Sequence, residues 1–96
     1  MTVLVLYDAA GLQTAARLFW KLQALSAEPD FANFEGKLPA LVREELLRAG
    51  EKPLVLGVLH DPRARAACVK ELSKLGYFSD APNGPRAFMA ERATPF

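Results

Sequence analysis

The chain holds one cysteine and one histidine, and that scarcity removes several kinds of protein at once. Cys68 alone cannot form an intrachain disulfide, which suits a reducing compartment. A structural zinc site needs four ligands, mostly cysteine and histidine, so no metal site of that kind is assigned. No stretch approaches the roughly 20 apolar residues of a membrane span. The first residues read as a strand with no charged leader before it, which speaks against a signal peptide and for the cytoplasm. Also missing are GxGxxG, the phosphate-binding GxxxxGK loop, GxSxG and CxxC. Gly11 alone after the first apolar run is a weak substitute, so no cofactor is expected. Nor is there a surplus of either charge. A net charge of +1 gives the whole chain no bulk attraction to nucleic acid or membrane.

What is present is apolar. Hydrophobic residues make up 51% of the 96 and charged ones 24%, which points to one folded domain spanning residues 1–96. A domain this small has little core of its own, and pairing with a second copy would bury more apolar surface. The basic residues are unevenly spread. Residues 62–96 carry six Lys/Arg against three Asp/Glu, and residues 1–61 carry six against eight.

Two stretches read as buried strands. TVLVLY, Thr2 to Tyr7, and PLVLGVL, Pro53 to Leu59, are apolar at nearly every position, as in a strand covered on both faces. Each ends in an aspartate, Asp8 or Asp61, and runs into a helix. Leu12 to about Ala27 places Leu12, Ala15, Ala16, Phe19, Leu22 and Leu25 at helical spacing, with Trp20 on the flank. Leu38 to Ala49 is a second helix, with Leu38, Leu41, Val42, Leu46 and Ala49 as its apolar stripe and Gly50 as its stop. Asp61 followed by Pro62 is a cap and a first helical position. That third helix buries Cys68, Val69, Leu72 and Leu75, and Gly76-Tyr77 reads as a Schellman stop folding back on Leu72. Asp30 to Lys37 reads as a short edge strand or, on the spacing of Phe31 and Phe34, as a helical turn or packed loop; SDAPNGP (Ser79 to Pro85) reads as a loop and Arg86 to Arg92 as a last strand. Superposing Asp8 on Asp61 aligns the two strand-Asp-helix units: Leu6 with Leu59, Phe19 with Leu72, Leu22 with Leu75.

The order β-α-(β)-α-β-α-β defines an α/β domain of three or four strands and three helices. Two architectures fit: a three-layer doubly wound sheet, favoured by the continuous apolar strands, and a ferredoxin-like sandwich, favoured by the short chain.

In an open parallel sheet, ligands bind beyond the carboxyl ends of the strands. Those ends carry Tyr7-Asp8 and His60-Asp61. If they converge, the two carboxylates could do acid-base work or hold a divalent cation, with His60 as base or ligand. Asp61, and Asp8 likewise, is also explained as a helix cap. Arg63 and Arg65 flank a helix N-terminus, an unfavourable place for cations, and with Arg86 they are candidates for binding an anion or nucleic acid. Trp20 is the candidate interface residue. Cys68, on an apolar stripe, reads as inert core.

VLVLYD followed by a helix and then NFEGKL is loosely similar to the opening of the small CRISPR-associated nucleases. That resemblance covers about half the chain and implies a metal-binding role for Asp8. Pro62 to Arg92 departs from the family's pattern.

Three functions are therefore in view. The first is association, as a homodimer or as an accessory subunit for a protein partner. The second is a small enzyme or metal-dependent nuclease using Asp8, His60 and Asp61. The third is an anion or nucleic-acid binding module using Arg63, Arg65 and Arg86.

Overall fold

TVLVLY forms β1 (Thr2–Tyr7) at the centre of a four-stranded sheet, in a computed structural model that describes residues 2–25, 28–48, 50, 52–79 and 84–89. A 3₁₀ turn over Ala9–Gly11 leads into α1 (Leu12–Ala24). The chain continues through β2 (Glu28–Asn33), α2 (Ala40–Arg48), β3 (Leu54–Val58), α3 (Pro62–Lys74) and β4 (Ala87–Met89). The sheet order is β2-β1-β3-β4 and every pairing is parallel. This is a small α/β domain of the doubly wound kind. The ferredoxin-like alternative fails because its neighbouring strands run antiparallel.

Two apolar layers hold the sheet between helices. On one face Val3, Val5 and Val58 pack with Ala15, Leu18 and Leu22 of α1. On the other, Leu4, Leu6, Val55 and Leu59 pack with Phe34, Leu38 and Leu46, and with Ala64, Cys68, Leu72 and Tyr77 from α3 and its exit. Each fully buried aliphatic side chain contributes about 1.5–3 kcal/mol. The α2/α3 layer is the thicker one, because two helices share it.

The local signals at α3 act as their chemistry requires. Asp61 has extended backbone, and its carboxylate accepts the Arg63 N–H at 3.0 Å, with Pro62 opening the helix. At the other end, Gly76 takes φ 94°, and the amides of Gly76 and Tyr77 donate to the carbonyls of Ser73 and Leu72 at 3.1 and 3.0 Å. Tyr77 is then buried against Leu72, and its hydroxyl donates to the Pro53 carbonyl at 2.8 Å. Burial pushes the Tyr77 phenol up to about 12.

Several elements differ from the sequence reading. The strand expected within Asp30 to Lys37 starts earlier, at Glu28, and ends at Asn33, leaving Phe34 to drop into the core. Pro29 lies inside it without penalty. Phe34 N–H bonds to the Tyr7 carbonyl at 2.8 Å, and backbone groups alternate sides along a strand. Those of Pro29 therefore face the open edge, where no partner strand needs an N–H. In α1 the buried stripe is Ala15, Leu18 and Leu22, while Leu12, Ala16 and Leu25 are exposed. In α2 Leu41 is exposed, and in α3 Val69 is exposed in place of the buried Ala64. Each helix meets the sheet along one narrow strip, and these apolar residues on its flanks stay exposed. β3 is also less covered than its sequence implies: Leu54 and Leu56, which face the α1 side, are only half-buried. β4 is Ala87–Met89, so Arg86 precedes it. Ala27, Ala49, residues 80–83 of the loop, and Arg92 with the tail after it lie outside the described residues. Among the described residues no helix is long and apolar enough to cross a membrane.

Candidate functional site

β1 sends its helix to one face of the sheet and the neighbouring β3 sends its helix to the other. Their carboxyl ends are therefore the switch point at which sheets of this kind take a ligand. Asp8 and Asp61 do converge there. One Asp8 oxygen, Oδ1, accepts the Gly11 N–H at 2.8 Å, and Oδ2 accepts the Asp61 N–H, 53 residues away, also at 2.8 Å. Asp8 is 7% exposed. The alignment of the two strand-Asp-helix units is thus realised as a physical bond from one aspartate to the other.

The bond is to backbone, however. Asp8 holds the 3₁₀ turn and the start of the α3 loop together, while Asp61 turns its own carboxylate to Arg63 N–H. Gly11 completes the closure. A Cβ built on it would lie 2.0 Å from the Val58 carbonyl oxygen, so the turn rests directly on the end of β3. His60 is half-buried beside this junction. Two clefts lie elsewhere. One of about 1310 Å³, at the amino ends of the strands, is lined by Thr2, Leu4, Asp30, Val42, Lys52 and Arg86. The other, of about 660 Å³, lies between the exit of β2 and α2, with Asn33, Leu38, Arg43 and Leu47 among its walls. Neither reaches Asp8, His60 or Asp61.

The arginines are divided. Arg63 and Arg65 open α3 at the carboxyl end of the sheet, and Arg86 precedes β4 at the amino end. No single surface presents all three. Among the described residues no group of three His, Cys, Asp or Glu is placed to hold a metal ion.

Trp20 is 71% exposed, more than a flanking position requires. Its ring stands edge-on to Phe19, with centroids 5.5 Å apart, and Phe19 in turn tilts against Phe31 at 5.9 Å. On the same face, Phe88 pairs in register with Leu56, so it projects to the α1 side, where it is 59% exposed. Sequence reasoning gave no sign of Phe88, because a three-residue strand carries too short a pattern to show which way it faces.

Cys68 is fully buried, and burial, helped by the nearby Glu71 charge, pushes its thiol up to about 12. Glu71 itself accepts the Leu38 N–H at 2.7 Å and so ties α3 to the entry of α2. Both Cys68 and Tyr77 are neutral in the folded chain at neutral pH, with folded values raised above the unfolded 9.0 and 10.0. Stability is then complete below pH 9 and declines as pH rises toward 12, because the unfolded chain loses these protons first. The expected slope is about 1.4 kcal/mol per pH unit for each titrating group. Urea titrations across that range check it. Replacing Cys68 by Ala should flatten the part below pH 10, where the unfolded tyrosine is still protonated.

No family model matches this chain, and no curated protein or solved structure matches it. The likeness of VLVLYD and NFEGKL to the small CRISPR-associated nucleases therefore has no family match behind it. What the fold and site define is a class: a small doubly wound α/β domain whose strand-end switch point is tied together by backbone N–H bonds to Asp8.

Proposed function

We propose that this chain acts by association with a second copy of itself, through the face of the sheet that carries α1. The carrying observation is that, among the described residues, no helix lies over β4 on that face and α1 covers β3 only in part, which leaves Phe88 exposed, Leu54 and Leu56 half-buried, and Trp20 exposed on the same side of the sheet. Tryptophan and phenylalanine are enriched in the buried centres of interfaces and depleted from surfaces that stay wet. A 96-residue chain also gains proportionally more from burying such a face than a larger domain would.

Sedimentation equilibrium over a dilution series tests it. The expected species at high concentration is twice the 10.5 kDa chain mass, dissociating on dilution. A 10.5 kDa species at every concentration would overturn the proposal.

A further inference from the structure

We infer that the strip over β4 and the open part of β3, which no helix among the described residues covers on this face, is filled by α1 of the second copy. Each α1 then lies on its own sheet from β2 to the near part of β3 and against β4 and the open part of β3 of its partner. The inference rests on the self-association proposed above and specifies its geometry.

On the α1 face, Val3, Val5 and Val58 are buried, Leu54 and Leu56 are half-buried, and Phe88 is 59% exposed. Cover is lost step by step toward β4.

The filler is on the same surface. Trp20 is two residues from both Leu18 and Leu22, which places it about 160° round the helix from these core-facing positions. It therefore points straight away from its own sheet, into the layer where a second sheet would lie. A two-fold axis then satisfies both needs in one step: α1 of one copy caps the strip of the other, and the reverse. Trp20 and Phe88 together would remove roughly 250 Å² of ring surface from water per chain. That is about a third of the ~800 Å² per partner typical of a stable interface, and the flanks of α1 with Leu54 and Leu56 extend it.

Edge pairing is the other common way for sheets to join, and Pro29 disfavours it on β2 by breaking the outward row of donors.

The test uses the fact that Trp20 is the only tryptophan. Its emission should move to the blue as the protein is concentrated, along the same curve as the sedimentation data. Phe88→Glu should abolish that shift and weaken association about thirtyfold or more, the loss expected for a central aromatic anchor. Leu41→Glu, on the outer side of α2 where Leu41 is 75% exposed, should leave both unchanged. Circular dichroism confirms that each variant is folded. A dimer that forms with no change in Trp20 emission, or that ignores Phe88→Glu, overturns this arrangement and leaves self-association standing. The absence of any dimer overturns both.

Discussion

Replacing Gly11 by alanine is expected to destabilise the fold by about 3 kcal/mol or more, at the upper end of what overpacking costs. The backbone at Gly11, φ −92° and ψ 0°, suits alanine well enough. The obstacle is the Val58 carbonyl oxygen, 2.0 Å from where the Cβ would be. That oxygen belongs to a central strand and also accepts the Asp8 N–H at 3.4 Å, so it cannot swing aside as a flexible side chain could. Either the turn lifts off β3 or β3 shifts in the sheet. Both break the packing of Val58 against α1. Against a total stability of about 5–15 kcal/mol for a domain of this kind, the loss is large. Urea titration reads it as a lower midpoint with an unchanged slope. Gly50→Ala is the control: its Cβ would meet nothing within 4 Å, so the midpoint should stay or rise slightly. A Gly11→Ala midpoint equal to that control would show that the turn does not rest on β3.

The second large effect concerns Asp8. Its two oxygens accept two backbone N–H groups, from Gly11 and Asp61, and only a carboxylate can accept on both sides. Asp8→Asn turns one acceptor into a donor that faces another donor. The expected cost is about 2–3 kcal/mol, with Asp8→Ala costing somewhat more because both amides lose their partner. For a domain of this length that lowers the melting temperature by roughly 10–20 °C. A catalytic carboxylate behaves in the opposite way: its amide variant loses activity and keeps, or gains, stability. Thermal unfolding of Asp8→Asn therefore separates an architectural aspartate from a chemical one. An unchanged melting temperature would favour the chemical role for Asp8.

Much of this frame was legible in the residues. TVLVLY and PLVLGVL announced the two central strands because uniform apolarity has few other uses over so short a run. Asp61-Pro62 and Gly76-Tyr77 marked both ends of α3, since caps and left-handed stops are set by local chemistry alone. The residues left open whether Asp8 and Asp61 converge, because convergence needs their two strands to be parallel neighbours. The acceptor role of Asp8 was hidden too, because it depends on which backbone amide the neighbouring strand presents. Gly11 was equally silent: a close approach between elements 47 residues apart leaves no local signature. The helix stripes were misjudged at Leu12, Leu25 and Leu41 for a related reason. Periodicity shows which residues could face a neighbour, and this sheet supplies neighbours on only part of each helix. Leu54, Leu56 and Phe88 are the counterpart of that error on the sheet itself. These apolar positions are left over once one chain has been folded, and they gather on the α1 face.

The most direct test of the account is a double-mutant cycle on dimer dissociation, using Trp20→Ala, Phe88→Ala and both together. Within one chain the two rings make no contact: Trp20 pairs with Phe19 on a helix directed away from the sheet that carries Phe88. Any coupling between them must therefore act across the interface. The account predicts a coupling of about 1 kcal/mol, within the range measured for aromatic pairs in contact. Additivity within about 0.3 kcal/mol, the behaviour of independent distant sites, would contradict it.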